Sequence, residues 1–243
     1  MTNIAGSAVL ITGGNRGIGR ALVEEALRRG AKRVYAGTRQ ALAHSDGRVT
    51  PLTLDVTNAA QIQEAVEQVD ALDLLINNAG VALFDDDLSD RTLLERQLAI
   101  NLFGPRDVTQ AFLPLLTRSR GAIVNHLSLA ALAAVPFSPA YSISKAAAFS
   151  LTQSLRTLLV GRGVRVHAVL TGPVDTDMAR GLDIPKASPE SVAHAIFDGV
   201  EKEEEDIFPD PMSHSIAESW RNGAPKALER QFAALVDADR AKS

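Results

Sequence analysis

The stretch SAVLITGGNRGIGRAL, residues 7–22, joins a strand pattern, a glycine-rich turn and a helix pattern. An aliphatic run ends at residue 12, and glycines follow at positions 13, 14, 17 and 19. Glycine permits a tight turn and lets a phosphate approach the backbone, while a helix N-terminus offers free N–H groups and a positive dipole end. The spacing differs from the G-x-G-x-x-G pattern of many phosphate-binding turns. We expect a phosphate-binding strand–turn–helix unit here, with a plain strand-to-helix turn as the alternative.

Similar aliphatic runs recur along the chain and alternate with amphipathic stretches. They lie at 7–12, 32–37, 49–54, 72–77, 121–127, 164–170 and, more weakly, 206–208. Continuous apolar strands between helices predict a parallel sheet that is covered on both faces. The predicted fold class is therefore α/β, a doubly wound sheet of about seven strands whose ligand lies beyond the carboxyl ends of the strands.

Composition narrows the class of protein further. A net charge of −4 argues against a general nucleic-acid binder, and the absence of cysteine excludes disulfides and thiolate metal sites. The sequence has no signal-peptide pattern and no apolar run of about 18 residues, so we expect a cytoplasmic protein without a membrane segment. No linker divides the chain, and residues 1–243 are expected to form one domain with a helical extension at 210–243.

A second motif, YSISK, occupies residues 141–145 near the start of a predicted helix. Tyr141 and Lys145 are four positions apart, so they share a helix face with about 5–6 Å between their Cβ atoms. We expect Ser138 to cap this helix and Gly161 to end it. Leucines are expected to form its buried stripe, at positions 151, 155, 158 and 159. An ordinary surface pair of Tyr141 and Lys145 is the alternative to a functional one.

Four motifs in this order resemble the short-chain dehydrogenase/reductase family: TGGNRGIG (12–19), NNAG (77–80), Ser128, and tyrosine-x3-lysine at 141–145. The resemblance extends from about residue 7 to about residue 210. It implies a Rossmann fold that forms one dinucleotide-binding and catalytic domain, and an oxidoreductase that acts on small carbonyl compounds or alcohols. A non-enzymatic dinucleotide sensor and a sugar-nucleotide isomerase or dehydratase are the competing functions.

The resemblance also implies catalytic roles. Tyr141 would be the general acid/base, Lys145 would hold the nicotinamide ribose and lower the pKa of the tyrosine, and Ser128 would orient the substrate oxygen. Free tyrosine titrates near pH 10, so activity near neutrality requires a shift of about three pH units, or about 4 kcal/mol. Asn101 matches the family's helical asparagine, which holds a water that links the lysine to solvent; a plain polar helix residue is the alternative.

Further positions match the family's cofactor contacts. The glycine turn would hold the pyrophosphate, the NNAG backbone would lie near the adenine-side ribose, and the segment after the sixth strand would contact the nicotinamide carboxamide. Asp55 and Val56 resemble the adenine contact, although Asp55 also suits the start of the next helix. The implied cofactor residues are Thr12, Gly13, Asn15, Arg16, Gly17, Ile18, Gly19, Asp55, Val56, Asn78, Ala79, Gly80, Tyr141, Lys145, Gly172, Val174 and Thr176.

The end of the second predicted strand indicates which dinucleotide is bound. An acid there reads a ribose 2′-hydroxyl, whereas arginine accommodates a 2′-phosphate. Position 38 is threonine, Arg39 follows it, and no carboxylate occurs from Val34 to Ala43. Arg16 is a second basic position that resembles NADP-preferring members. We therefore predict NADP(H), with two solvated surface charges as the alternative interpretation.

The predicted substrate pocket is apolar. The segment between Ser128 and Tyr141 carries no charge, which favours a hydrophobic ketone or aldehyde and its alcohol without an obligatory anionic group. The candidate lining residues are Leu129, Val135, Phe137, Val174, Met178 and Leu182. His126 shares a strand face with Ser128 and is a further candidate for contact with the site.

Two departures from the family pattern concern the end of the chain. Thr171 stands where a proline is expected, and we expect an altered loop geometry with binding preserved.

About thirty residues follow the last strand and carry an apolar pattern that would cover the end of the sheet, at Ile216, Trp220, Leu228, Phe232 and Leu235. Assembly is expected as a homodimer through helices near 89–117 and 139–160, or as a homotetramer. The acidic run EKEEED (201–206) is interpreted as a solvated helix end without a metal site.

Overall fold

A computed structural model of the protein describes residues 3–40, 42–84 and 87–240. These residues form a seven-stranded parallel sheet with the strand order β3-β2-β1-β4-β5-β6-β7. The strands are β1 Ala8–Thr12, β2 Arg33–Thr38, β3 Val49–Thr53, β4 Leu74–Asn77, β5 Ala122–His126, β6 Arg165–Val169 and β7 Asp206–Ile207. The predicted doubly wound Rossmann sheet is confirmed.

Helices cover both faces of the sheet. They are α1 Gly17–Arg28, α2 Ala59–Glu67, α3 Arg91–Leu98, α4 Gly104–Ser119, α5 Pro139–Leu159, α6 Pro189–Glu201, α7 Pro211–Arg221 and α8 Ala224–Arg240. Side chains of α1 and α6 pack in one core on one face, and side chains of α2, α4 and α5 pack in a second core on the other face. Along β1, Val9 and Ile11 enter the first core while Ala8 and Leu10 enter the second. This alternation explains why the strand is apolar at every position.

The strand order reverses between β1 and β4. β1 pairs with β2 on one side and with β4 on the other, so the connections leave these two strands in opposite directions. A crevice opens at such a switch point, beyond the carboxyl ends of the strands. The segments that follow β1, β4, β5 and β6 all reach this edge of the sheet and build the site described below.

The predicted long helix at 89–117 is interrupted. α3 and α4 are joined by a π-helical turn over Ala99–Phe103, which contains Asn101. A helix-period pattern cannot reveal one inserted turn, because the apolar spacing on either side of it still fits an α-helix.

The ends of α5 also differ from expectation. Ser138 occupies the N-cap position but makes no capping bond, because its hydroxyl lies 3.4 Å from the Leu83 carbonyl oxygen. The helix ends at Leu159, and the left-handed residue is Gly163, with φ 72°, after a short 3-10 turn. Leu155 and Leu159 are buried as predicted, whereas Leu158 is 60% exposed.

The extension after β7 folds back onto the sheet edge and α5. Trp220 of α7 packs against Phe149 of α5 with 5.6 Å between the ring centroids, and its indole N–H donates to Asp206 Oδ2 at 2.8 Å. The expectation that the apolar positions of α8 also pack is wrong. The side chains at these positions are largely exposed: Leu228, Phe232 and Leu235.

Charge instead of apolar packing attaches α8. The Lys226 side chain is 2% exposed, and its Nζ lies 2.8 Å from Glu205, 2.8 Å from Asp206 and 3.0 Å from Glu229. Arg156 of α5 pairs with Asp206 and Glu229 from the other side. The interpretation of 201–206 as a solvated helix end is therefore wrong at Asp206, which begins β7 and is buried.

The described residues contain neither a membrane-spanning helix nor a metal-binding cluster. No described helix is long and apolar enough to cross a membrane. No group of histidine and acidic side chains among the described residues has the arrangement of a metal site.

Candidate active site

The glycine turn between β1 and α1 has the shape of a phosphate cradle. Gly13 and Gly17 have φ of +72° and +50°, which only glycine adopts readily. A Cβ on Gly19 would lie 2.0 Å from the Gly13 carbonyl oxygen, so a side chain cannot fit there. Arg16 is the N-cap of α1 and its side chain makes no capping bond. The first N–H groups of α1 thus face the crevice, and the turn fits the pyrophosphate of a dinucleotide.

Side chains from the TGGNRGIG and NNAG motifs bind each other. The Thr12 hydroxyl oxygen accepts bonds from the backbone N–H groups of Asn78 and Ala79, both at 3.0 Å. The Asn78 amide nitrogen donates to the Thr12 carbonyl oxygen at 2.9 Å. Thr12 itself is buried behind the turn, so it acts on the crevice by fixing the ends of β1 and β4.

Ser128, Tyr141 and Lys145 meet on one wall of the crevice. Ser128 follows β5, its hydroxyl oxygen accepts from the Ala130 N–H at 3.1 Å, and its side chain is close enough to the Tyr141 hydroxyl to oppose in part the rise in the pKa of the phenol that burial causes. Tyr141 and Lys145 lie in the first two turns of α5, and Lys145 Nζ is 5.8 Å from the centre of the Tyr141 ring. The same Nζ donates to the His126 carbonyl oxygen at 2.9 Å.

Burial opposes ionisation of this group. Desolvation raises the pKa of Tyr141 above its ordinary value, and the hydrogen bond with Ser128 only partly offsets the rise. Desolvation also lowers the pKa of Lys145 to about 8. The protein groups alone therefore keep Tyr141 protonated, and a phenolate requires additional positive charge in the crevice.

Asn101 lies below the wall formed by Ser128, Tyr141 and Lys145, and its side chain is fully engaged in hydrogen bonds. Its Oδ1 accepts from the Val81 N–H at 2.9 Å, and its Nδ2 donates to the Val81 carbonyl at 2.8 Å and to Ser144 Oγ at 2.9 Å. Ser144 in turn donates to the Tyr141 carbonyl oxygen at 2.7 Å. The π-helical turn thus ties α5 to the end of β4 through one buried amide.

A small cavity of about 10 Å³ is lined by Asn101 and Lys145. This is about the volume that one water molecule needs. Asn77 also lines it, and the buried Oδ1 of Asn77 has no hydrogen-bond partner among the described residues. The cavity therefore offers a water a polar partner next to the lysine.

One large cleft, of about 1400 Å³, runs along the carboxyl edge of the sheet. Thr12 lies behind its wall and Asn101 below its floor. The other sequence-predicted residues line the cleft: Gly13, Asn15, Arg16, Gly17, Ile18, Gly19, Thr38, Arg39, Asp55, Val56, Asn78, Ala79, Gly80, Ser128, Leu129, Val135, Phe137, Tyr141, Lys145, Gly172, Val174, Thr176, Met178 and Leu182.

The cleft end that adjoins β2 and β3 carries charge. Thr38 ends β2, and its hydroxyl donates to the Gln40 carbonyl. Burial alone would raise the pKa of the Asp55 carboxyl, but hydrogen bonds from Thr57 and the charge of Arg39 lower it overall. Asn58, not Asp55, caps α2. Arg96 of α3 also lines this cleft and has no motif that would have indicated it.

The opposite end of the cleft is apolar. Phe137 and Phe84 lie with 6.4 Å between their ring centroids, and both side chains are half exposed. Met178 and Met212 also line the cleft. Phe84 belongs to the loop after β4, of which residues 85 and 86 lie outside the described residues. Met212 comes from α7, where no sequence pattern pointed to the site.

His126, which the strand pattern offered as a further candidate for the site, lines the cleft and bonds to two neighbouring segments. Its Nδ1 lies 3.0 Å from Asn78 Oδ1, and its Nε2 lies 2.8 Å from Thr171 Oγ1. Burial, with the nearby charge of Lys145, lowers the pKa of His126 to about 3, so the imidazole is neutral. Thr171, at the position of the expected proline, therefore has a side-chain partner on β5.

Comparison with known proteins agrees with this geometry. The family model described as short chain dehydrogenase matches residues 7–186. Ketoacyl reductase HetN from a Nostoc species is 32% identical over 89% of this chain and 83% of its own length. The 2-(S)-hydroxypropyl-CoM dehydrogenase 3 of Xanthobacter autotrophicus is 36% identical over 77% of this chain and 80% of its own.

A solved structure extends the similarity to three dimensions. A short chain dehydrogenase from Burkholderia cenocepacia, crystallised in complex with NADP, superimposes with a TM-score of 0.86. The two chains are 35% identical, and the match covers 94% of this chain and 98% of the other.

Proposed function

The chain belongs to the short-chain dehydrogenase/reductase family of oxidoreductases, and on that premise we propose that it transfers a hydride between NADP(H) and a hydrophobic ketone or aldehyde, or the corresponding alcohol. The observation that carries the proposal is the convergence of Ser128, Tyr141 and Lys145 on one wall of a cleft at the switch point of the sheet. We assign the function to residues 1–243 acting as one domain, with 210–243 as its helical extension.

Each catalytic residue has a distinct task in this proposal. In the reducing direction, the Tyr141 hydroxyl donates its proton to the substrate oxygen as that oxygen gains negative charge, and the Ser128 hydroxyl donates a hydrogen bond to the same oxygen. In the oxidising direction, Tyr141 takes the proton back. NADP(H), when bound, supplies or accepts the hydride.

Lys145 and Asn101 support Tyr141. The ammonium of Lys145 stabilises the phenolate that remains after proton transfer, and it holds the nicotinamide ribose. The water-sized cavity lined by Lys145 and Asn101 suits a water through which a replacement proton reaches the lysine. Asn101 acts in this scheme by fixing the floor of the cavity through its bonds to Val81 and Ser144.

The preference for NADP(H) over NAD(H) rests on charge at the β2 end of the cleft. Arg39 follows β2 and lines the cleft, Arg16 also lines the cleft with its guanidinium 3.9 Å from Asp177, and no carboxylate follows β2 directly. Arginine pairs well with a phosphate because its planar group offers several donors, so a ribose 2′-phosphate suits this end. The NADP complex of the Burkholderia protein agrees with this assignment.

The substrate class follows from the other end of the cleft. Its candidate contacts are Ser128, Leu129, Val135, Phe137, Tyr141 and Met178. Apart from Tyr141 and Ser128 these side chains are apolar, and none of the six is charged, which favours a neutral hydrophobic substrate. We also propose that the protein assembles as a homodimer through α4 and α5, or as a homotetramer.

The test is a panel assay on the purified full chain. NADPH and NADH oxidation is followed at 340 nm with hydrophobic ketones, aldehydes and quinones, beside carboxylated and phosphorylated carbonyl compounds. We expect turnover with NADPH and neutral apolar substrates. A strong preference for the anionic compounds would contradict the substrate class, and cofactor binding without any turnover would favour a dinucleotide sensor.

A further inference from the structure

His126 joins three elements behind the catalytic wall. Its ring bonds to Asn78 after β4 and to Thr171 after β6, and its carbonyl oxygen accepts from Lys145 of α5. Thr171 is 4% exposed, and the His126 side chain lines the cleft floor between these partners. One residue of β5 thus contacts both the catalytic lysine and the loop that follows β6.

The Thr12 carbonyl oxygen determines which group donates and which accepts in each hydrogen bond of this network. The Thr12 carbonyl can only accept, so the Asn78 amide must point its nitrogen toward Thr12 and its Oδ1 toward His126. The neutral imidazole must then carry its proton on Nδ1, which leaves Nε2 as an acceptor. The Thr171 hydroxyl must donate to Nε2. The bonds form one directed chain from β1 to the β6 loop.

This series of hydrogen bonds ends at the backbone that faces the proposed nicotinamide position. The Thr171 carbonyl accepts from the Leu129 N–H at 3.0 Å, and the next N–H, that of Gly172, donates to Asp210 Oδ2 at 2.7 Å. Gly172 lines the cleft. The loop is therefore held by main-chain bonds at Thr171, Pro173 and Asp175, by an extension residue and by the Thr171 side chain, and only the last of these depends on His126.

We propose that His126 is a positioning residue for the nicotinamide end of the cofactor, acting through Thr171 in place of the rigidity that a proline would give this loop. The proposal rests on the proposed function, since it assumes that a nicotinamide dinucleotide occupies the cleft. Loss of the hydrogen bond between His126 Nε2 and the Thr171 hydroxyl would let the loop after β6 move at the nicotinamide end. The glycine turn and the β2 end of the cleft would be unaffected.

Binding measurements with a whole and a truncated ligand test this directly. His126→Leu removes both ring bonds, Thr171→Val removes the hydroxyl at constant shape, and His126→Gln keeps an acceptor that can reach Thr171. Affinities for NADPH and for 2′,5′-ADP, which lacks the nicotinamide, are measured by calorimetry on each full-length variant. If the wild type prefers NADH, then NADH and ADP are the pair used.

We expect His126→Leu and Thr171→Val each to weaken NADPH binding about tenfold, with 2′,5′-ADP binding unchanged within about twofold. The double variant should be no weaker than His126→Leu, because that variant already lacks the bond that Thr171→Val removes. His126→Gln should recover most of the NADPH affinity.

The outcomes separate this proposal from the proposed function. Equal weakening of both ligands in His126→Leu would show a general structural role and overturn the proposal. Unchanged NADPH affinity in Thr171→Val would overturn it as well, and this variant does not disturb the packing of the imidazole. A wild-type chain that bound neither dinucleotide would overturn the proposed function and the positioning role with it.

Discussion

Burial of Tyr141 and Lys145 has opposite consequences for the two groups. Tyr141 becomes a weaker acid and Lys145 a weaker base, because removal from water disfavours both charged forms. The Lys145 ammonium is thus poorly solvated in the folded protein. Its charge would stabilise the phenolate of the neighbouring Tyr141 once that group ionises. The burial of Lys145 thus lowers stability at the site where the proposed catalysis needs its charge.

A pH dependence of stability follows from Lys145. Its pKa is about 8 in the folded chain and near 10.5 when exposed. Between these values the unfolded chain binds one more proton, so the free energy of unfolding rises with pH. Relative to Lys145→Met, the wild type should gain about 3 kcal/mol between pH 7 and pH 10.5. Urea unfolding of both proteins at the two pH values measures this difference. A constant difference would mean that the lysine is not buried as described.

Thr38 is predicted to control cofactor choice. In Thr38→Asp, a carboxylate at the end of β2 would repel a 2′-phosphate and accept a hydrogen bond from a 2′-hydroxyl. The ratio of kcat/KM for NADPH to that for NADH should fall by on the order of a hundredfold, or about 2.7 kcal/mol. Thr38→Ser, which keeps the hydroxyl, should leave the ratio within about threefold. An unchanged ratio in Thr38→Asp would defeat the NADP(H) assignment.

The glycine turn between β1 and α1 can be predicted from the sequence, whereas the π-helical turn between α3 and α4 cannot. The four glycines directly follow the apolar run of β1, so the sequence alone predicts a turn there. The segment AINLF has an ordinary helical pattern, and only the structure reveals the π turn that directs Asn101 toward Val81. Ser138 occupies the predicted N-cap position of α5, but its hydroxyl bonds to the Leu83 carbonyl oxygen instead of capping the helix.

Gly19→Ala should disrupt the glycine turn. The added Cβ would lie 2.0 Å from the Gly13 carbonyl oxygen and 2.7 Å from Asn78 Nδ2. The turn must then open, and we expect NADPH affinity to fall at least a hundredfold. Gly47→Ala is the matched control, because nothing lies within 4 Å of a Cβ there. Calorimetric titration of both variants is the measurement; equal affinities would show that the turn does not hold the pyrophosphate.

At the scale of the whole molecule, a buried charge cluster attaches the extension to the sheet. Burial alone would raise the pKa of the Asp206 carboxyl, but Arg156 and Lys226 lower it overall. These ion pairs therefore stabilise the fold above the ordinary carboxyl pKa and weaken as pH falls through the lowered one. The acidic run at 201–206 did not predict this, because its partners, Arg156 and Lys226, are distant in sequence.

Lys226→Met should destabilise the fold by about 3 kcal/mol, because it leaves buried carboxylates without one of their cations. The exposed Lys202 offers the control, and Lys202→Met should change stability by less than about 0.5 kcal/mol. Thermal and urea unfolding at pH 7 measure both variants. Equal stability of the two would mean that the cluster does not attach α8.

The sequence and the structure agree most closely where local patterns decide the geometry. Periodicity predicts the seven strands. The motifs predict the meeting of Ser128, Tyr141 and Lys145, because Ser128 follows a strand at the carboxyl edge and the next helix brings Tyr141 and Lys145 back past it. The contributions of His126, Arg96 and Met212 depend on which elements become neighbours. No local pattern carries that information: Arg96 and Met212 entered the site only with the structure, and strand alternation indicated His126 as a candidate but not its bonds to Asn78 and Thr171.

The central claim is that Tyr141 is the proton donor of a cofactor-dependent reductase. Its most direct test compares the wild type with Tyr141→Phe for NADPH-dependent turnover of the best carbonyl substrate and, on the same samples, for NADPH affinity. We expect turnover to fall by at least about a thousandfold, with NADPH affinity within about threefold of wild type. Retained turnover in Tyr141→Phe would contradict the account, because the cleft would then reduce its substrate without the hydroxyl on which the assignment depends.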